Sequence, residues 1–116
     1  MVKIKRVYDP VSPDDGRRIL VDRLWPRGLT KEGADIDEWL KDIAPSSELR
    51  KWFAHDPSKW EEFVRKYEGE LRQKPEPMEY LTEIATKEKI TLLFSARDRE
   101  HNNALVIKRT IDHRKR

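Results

Sequence analysis

The 116-residue chain has the length of one domain, which is enough for a single hydrophobic core but not for two. It has no cysteine, so disulfides, thiolate metal sites and thiol nucleophiles are excluded. Charged residues make up 41% of the sequence while the formal net charge is only +3, which favours a mixed, salt-bridged surface over one specialised for polyanions. Residues 1–8 alternate apolar and charged side chains, unlike a signal peptide, and no run is long enough to span a membrane. We therefore expect a cytoplasmic protein.

The N-terminal part predicts two strands and a less regular segment. Apolar residues alternate with charged ones over 2–8, which indicates a first strand, and residues 18–21 indicate a second one after a turn-rich stretch. Residues 30–38 fit either a loop or a short helix. The apolar residues within 36–43 have helical spacing, so we expect a helix that ends before Pro45.

The middle of the chain predicts three helices. Ser46 or Ser47 can cap a short one, and Pro57 suits the first turn of the next. Apolar residues then recur at helical spacing over 60–71 and again over 78–85.

A buried strand and a last helix complete the predicted elements. Residues 90–94 are apolar and bounded by charge, which is typical of a central strand, and helical spacing returns from about residue 98. This order predicts an α/β fold over residues 1–116, a single compact domain in which helices pack on a small sheet as a layered sandwich.

Polar residues follow directly after two predicted strands, where α/β proteins usually build ligand sites. In the first such segment, residues 22–28, Arg23 and Arg27 bracket Trp25. Arginine can bind a phosphate or carboxylate with two hydrogen bonds, and tryptophan can stack on a ring. The structural alternative is that Trp25 belongs to the core and an arginine pairs with Asp22. We favour the core for Trp25 and ligand binding for the two arginines.

The second segment joins the last predicted strand to the last helix, and a helix N-terminus after a strand favours anions. Ser95 and Arg97 are placed to contact a phosphate or carboxylate. Asn102 and Asn103 lower helix propensity, which a role in ligand binding would explain. Alternatively, Ser95 or Asp98 only caps the helix, and the asparagines face solvent or hold a neighbouring loop.

Three residues could transfer protons if a bound ligand is turned over, namely Asp22, His55 and Asp98. No metal site is expected, because His55, His101 and His113 lack the spacing of metal ligands. The four glycines form no phosphate-binding loop, and we expect no cofactor.

The chain resembles the YeaO-like family, a group of small bacterial and archaeal proteins within a class of domains of unknown function. The resemblance rests on VDRLWPRG over 21–28, APS over 44–46, LRKWFAHD over 49–56, LLFSARD over 92–98 and HNNA over 101–104. It implies an α/β fold and a cytoplasmic protein. It implies no activity, substrate or catalytic residue.

Our leading hypothesis is an anion-binding pocket for a phosphorylated metabolite or nucleotide, bound for recognition or turned over. Its predicted ligand contacts are Arg23, Arg27, Ser95, Arg97, Asn102 and Asn103.

Two alternatives from other functional classes stay open, and the sequence does not predict the oligomeric state. A nucleic-acid-binding module would use Arg23, Arg27 and the basic residues of 108–116. A non-enzymatic interaction domain would instead tie Asp22, Arg23, Arg27 and Asp98 into one buried salt-bridge network.

Overall fold

Four parallel strands form one sheet, in the order β1-β4-β2-β3, in a computed structural model that describes residues 1–114. The strands are β1 (Val2–Arg6), β2 (Arg17–Leu20), β3 (Glu38–Trp39) and β4 (Ile90–Phe94). Every residue of β4 is buried, as expected of an apolar strand covered on both faces. Because β4 pairs with both β1 and β2, it joins the two N-terminal strands, which do not pair with each other.

Five helices accompany the sheet: α1 (Lys31–Ala34), α2 (Ser47–Phe53), α3 (Trp60–Arg72), α4 (Pro75–Lys87) and α5 (Asn103–Arg114). Ser46 caps α2 by accepting a hydrogen bond from the Leu49 amide at 3.1 Å, which confirms one of the two predicted caps. Pro57 lies in a short 3-10 turn that leads directly into α3.

The larger hydrophobic cluster lies on the face of the sheet that α3, α4 and α5 cover. The strands contribute Val2, Ile19, Val21, Ile90, Leu92 and Phe94, and the helices contribute Phe63, Tyr67, Leu71, Met78, Leu81, Ala104, Ile107 and Ile111 among others. Burial of each large apolar side chain stabilises the fold by about 1.5–3 kcal/mol, so this face dominates the stability.

No long helix covers the opposite face of the sheet, which we call the open face, within the described residues. A smaller cluster there contains Val7, Leu20, Ala34, Ile36 and Leu93, with Trp25, Leu29 and Trp39 packed against it. Most of its cover comes from the connection between β2 and β3, residues 21–37, which contains only the short helix α1.

A charged pair is buried on the open face. Arg18 is 2% exposed and Asp15 is 1% exposed, and an Arg18 Nη1 donates to Asp15 Oδ2 at 2.5 Å. The same guanidinium donates to the carbonyl oxygens of Ala34 and Asp35, at 3.0 and 2.9 Å. Lys5 Nζ lies 3.0 Å from each carboxylate oxygen of Asp15, so the buried charges are compensated.

Hydrogen bonds keep Asp15 ionised in spite of its burial. Burial alone raises its pKa, but the Ser12 amide and the side chains of Lys5 and Arg18 outweigh that effect and lower the pKa from 3.8 to about 2. The Asp15 carbonyl oxygen also accepts a hydrogen bond from Thr91 Oγ1 on β4 at 2.6 Å. Asp15 therefore fixes the turn before β2 to the centre of the sheet.

The predicted α/β class is confirmed, but one predicted helix is absent and another begins later than expected. The helix expected over 36–43 is wrong, because this stretch contains β3 and a 3-10 turn over Lys41–Ile43. Ile36 belongs to the open-face cluster and Ile43 to the helix-face cluster, so the helical spacing of these residues does not reflect one helix face. The last helix begins at Asn103 rather than near residue 98.

Asp15→Asn should lower the free energy of unfolding at pH 7 by about 3 kcal/mol, because Arg18 would lose its buried counter-ion. The pKa of Asp15 is lowered on folding, so its contribution is complete above about pH 4 and is lost as the pH falls to about 2. Urea unfolding at a series of pH values from 7 to 2 measures this effect. The difference in the free energy of unfolding between the wild type and the Asp15→Asn variant should become about 2 kcal/mol smaller at pH 2 than at pH 7.

Asp14→Asn is the matched control, because Asp14 is exposed and its nearest cation, Lys89 Nζ, lies 3.9 Å away. This variant should differ from the wild type by less than about 1 kcal/mol at every pH. Equal stability of the Asp15 and Asp14 variants would contradict a stabilising role for the buried pair.

Candidate functional site

The segments that follow β1, β2 and β4 meet at the carboxyl edge of the sheet. Arg6 Nε donates to the carbonyl oxygen of Ala96 at 2.9 Å, and an Arg6 Nη donates to that of Ser95 at 3.1 Å. Tyr8 Oη donates to the carbonyl oxygen of Arg27 at 3.0 Å. The two segments that the sequence singled out are thus fixed to the end of β1.

Asp22 is the centre of a hydrogen-bond network at this edge. Its Oδ2 accepts from the Ser95 amide at 2.9 Å and from Ser95 Oγ at 2.7 Å, and its Oδ1 accepts from Asn103 Nδ2 at 3.1 Å. Asn103 Nδ2 also donates to the Val21 carbonyl oxygen at 2.9 Å. The structure therefore brings together Asp22, Ser95 and Asn103, three of the predicted site residues. Both carboxylate oxygens of Asp22 are occupied by groups of the chain itself.

Asn102 caps α5. Its Oδ1 accepts from the Leu105 amide at 2.9 Å, its Nδ2 donates to the Asp98 carbonyl oxygen at 3.1 Å, and the residue is buried. The capping role that the sequence analysis offered for Ser95 or Asp98 belongs instead to Asn102.

Asp98 organises the turn that precedes α5. Its Oδ1 accepts from the amides of Glu100 and His101, and its Oδ2 lies 2.9 Å from His101 Nδ1. The hydrogen bond from the Glu100 amide, followed by that from His101, lowers the pKa of Asp98. Nearby, Arg99 forms a two-pronged ion pair with Asp9, with both distances 2.8 Å, and this contact lowers the pKa of Asp9. Both carboxylates are held in their ionised form.

Arg23, Arg27 and Arg97 have no hydrogen bond or ion pair from their side chains within residues 1–114. Arg27 and Arg97 are exposed, whereas Arg23 is half-buried and its Nε is shielded from water without a partner. Burial lowers the pKa of Lys74, and the nearby Arg23 guanidinium lowers it further, while Glu70 opposes the shift. Arg23 and Lys74 therefore place two cations close together.

His55 lies outside this network. It is exposed, in a left-handed conformation with φ of 56°, and its ring packs 6.5 Å from that of Phe53. No hydrogen bond or ion pair joins it to Asp22 or Asp98 among the described residues.

Sequence reasoning did not single out Arg50 on α2. Its Nε is also buried without a hydrogen-bond partner. An arginine one turn after the capping Ser46 has no distinctive sequence signal, because its environment depends on what packs against α2.

Two cavities lie outside the predicted site residues, one between α3 and α5 and one beside β3. No group of three histidine or acidic side chains within residues 1–114 is arranged to hold a metal ion. In the same part of the chain, no helix has the length and apolar character needed to cross a membrane. Of the basic C-terminal residues, Arg109 and Arg114 are exposed on α5, and Lys115 and Arg116 lie outside the described residues.

Comparison with known proteins supports the resemblance drawn from the sequence. A family model described as the inactive DUF488-N3 subclade matches residues 1–116. The uncharacterized protein YeaO of Escherichia coli (strain K12) is 47% identical over 106 residues, which cover 91% of this chain and 92% of that protein. The uncharacterized protein Rv3073c of Mycobacterium tuberculosis (strain ATCC 25618 / H37Rv) is 36% identical over 113 residues, covering 97% and 95% respectively. No solved structure matches the chain.

Asp22→Ala should lower the free energy of unfolding by about 2–3 kcal/mol, because the Ser95 amide and the Asn103 side chain would lose a charged acceptor. Urea denaturation at neutral pH measures the change. Asp112→Ala is the control, since the ion pair that Asp112 forms with Lys108 is exposed, and this substitution should cost less than about 0.5 kcal/mol. If both variants lose the same stability, the Asp22 network does not hold this edge together.

Proposed function

The chain belongs to the inactive DUF488-N3 subclade, and from that premise we propose that it binds a small phosphate-bearing ligand without turning it over. The ligand class is a phosphorylated metabolite or nucleotide, and the binding groups are the arginines at the carboxyl edge of the sheet. The observation that carries the proposal is Arg23, whose Nε is buried and has no hydrogen-bond partner in the part of the chain that the structure describes.

A guanidinium with a buried, unbonded N–H is an unfavourable arrangement unless something else binds there. Leaving a buried donor unsatisfied costs about 1–3 kcal/mol, and more for a charged group. A phosphate can accept two parallel hydrogen bonds from an arginine, and a turn of the Arg23 side chain that presents Nε would supply the missing acceptor together with a counter-charge. Arg23 is thus the group in this region that gains most from an anion.

The carboxylates near Arg23 are already engaged elsewhere. Both oxygens of Asp22 accept hydrogen bonds from Ser95 and Asn103. The two oxygens of Glu70 accept from the amide and the hydroxyl of Ser46, at 2.8 and 2.6 Å. Lys74 adds a second positive charge beside Arg23, and the carboxylates of Glu70 and Asp42 offset part of it.

The remaining predicted ligand contacts divide into two groups. Arg27 and Arg97 are exposed and their guanidinium groups have no partner within residues 1–114, so they could extend the site towards larger anions. Ser95, Asn102 and Asn103 donate to atoms of the chain, and in this proposal they position the two segments instead of contacting the ligand.

Binding without turnover fits the state of the proton-transfer candidates. Asp22 and Asp98 use their oxygens in hydrogen bonds within the protein, and no hydrogen bond or ion pair joins His55 to either of them within residues 1–114. A general base must be free to take up the proton that it removes, and the oxygens of Asp22 and Asp98 already accept hydrogen bonds from the protein. We place this activity in the cytoplasm, as expected from the sequence.

Isothermal titration calorimetry with ribose 5-phosphate, orthophosphate and a short oligonucleotide, at low and at physiological salt, tests the proposal. The wild type should bind ribose 5-phosphate at both salt concentrations. Arg23→Gln should weaken binding at least about tenfold, because hydrogen bonds to charged groups contribute about 1.5–3 kcal/mol.

Arg109→Gln provides the matched control, since Arg109 is exposed on α5 and forms no ion pair within the described residues. It should bind as the wild type does. Equal affinity of the Arg23 and Arg109 variants would refute the site. Binding only to oligonucleotides, and only at low salt, would refute the small-ligand proposal in favour of nucleic acid.

A further inference from the structure

The cavity beside β3 has the volume of a small-molecule site, and its wall combines two indole rings with exposed charged side chains. Its volume is about 390 Å³, within the range of about 300–1,000 Å³ that is usual for such sites, whereas the cavity between α3 and α5, at about 260 Å³, is smaller. The larger cavity is lined by Trp25, Lys31, Ile36, Asp37, Glu38 and Trp39.

Two indole rings form its apolar wall. The centroids of Trp25 and Trp39 lie 5.3 Å apart and the ring planes meet at 64°. Trp25 Nε1 donates to the Leu29 carbonyl oxygen and Trp39 Nε1 to that of Asp22, each at 2.7 Å. Because both N–H groups are satisfied and both rings are held in place, the indoles offer aromatic surface rather than hydrogen bonds.

The cavity also offers one acceptor and one donor. Asp37 Oδ2 accepts from the Arg18 amide at 2.8 Å, and its Oδ1 has no hydrogen bond within residues 1–114. The Lys31 ammonium forms no ion pair in the same part of the chain. The Glu38 carboxylate, in contrast, is engaged by Arg17 and by Tyr80.

We propose that this cavity binds a purine base that carries an exocyclic amine. The flat ring system would pack against Trp25 and Trp39, the amine would donate to Asp37 Oδ1, and a ring nitrogen or carbonyl oxygen would accept from Lys31. Stacking of a base on an aromatic side chain is a common and favourable contact.

An organic cation fits the same cavity less well. Lys41 Nζ already lies 4.6 Å from the centroid of the Trp39 ring, so the chain supplies its own cation to that indole. Lys31 in the wall adds a second positive charge, against the single carboxylate of Asp37 that no other cation engages within residues 1–114. A neutral ring with polar edges avoids the repulsion that both lysines would impose on a cation.

Heteronuclear NMR of the indole N–H groups tests this inference directly. The chain has four tryptophans, of which Trp25 and Trp39 line the cavity while Trp52 and Trp60 do not. Adenosine or guanosine at millimolar concentration should shift the Trp25 and Trp39 signals and leave those of Trp52 and Trp60 in place. Uridine should give smaller shifts, because its single ring covers less of the indole surface, and tetramethylammonium should give none.

Two variants at neighbouring positions sharpen the test. Asp37→Asn keeps the side-chain volume and an oxygen for the Arg18 amide, but it should weaken adenosine binding at least about tenfold by removing the charged acceptor. Glu32→Gln removes a charge beside Lys31 without touching the cavity wall, so adenosine should bind it as it binds the wild type. Thermal melting of each variant verifies that it is folded.

Several results would overturn the inference. These are the absence of nucleoside-induced shifts, shifts of all four indoles together, a response to tetramethylammonium alone, or equal adenosine affinity of the Asp37 and Glu32 variants. The inference stands apart from the anion site around Arg23, because a nucleoside has no phosphate and ribose 5-phosphate has no base. An experiment that refutes one of the two proposed sites therefore leaves the other untouched.

Discussion

The buried ion pair of Arg18 and Asp15 is the interaction on which the open face depends. Irregular chain covers this face, and its backbone polar groups need partners once they leave water. Arg18 donates to the carbonyl oxygens of Ala34 and Asp35, and Asp15 accepts from the turn that precedes β2. The pair thus binds both the turn before β2 and the connection between β2 and β3 to the sheet. An apolar pair of the same volume would fill the space but leave these backbone groups without partners.

The carboxyl edge of the sheet differs from the open face. Its carboxylates accept hydrogen bonds from the protein, whereas the side chains of Arg23, Arg27 and Arg97 have no partner within residues 1–114. The sequence indicated correctly that the segments after β2 and β4 meet, since parallel strands place their ends together. It could not assign the roles of Asn102 and Asn103. An asparagine at the start of a helix can cap the helix, hydrogen-bond a neighbouring loop or contact a ligand. Which of these roles it takes depends on the groups that tertiary packing brings within hydrogen-bonding distance.

Strong periodicity made most of the fold predictable. The helices α3 and α4 and the buried strand β4 agree with the apolar patterns that indicated them. β3 was missed because a two-residue strand has no periodicity of its own and is defined only by pairing with β2. The false helix over 36–43 has the same origin, since its apolar residues fill clusters on both faces of the sheet.

The strand order has a consequence for how a nascent chain acquires this structure. β1 and β2 pair with β4 and not with each other, and Val2 pairs with Ile90 across the whole helical middle. Local contacts can form α2, α3 and α4 while the chain is still being synthesised. Of the sheet, only the short pairing between β2 and β3 can form at that stage. Until β4 leaves the ribosome, β1 is a strand without a sheet and its apolar residues stay uncovered. Assembly of the sheet is therefore delayed until the helical middle has been synthesised.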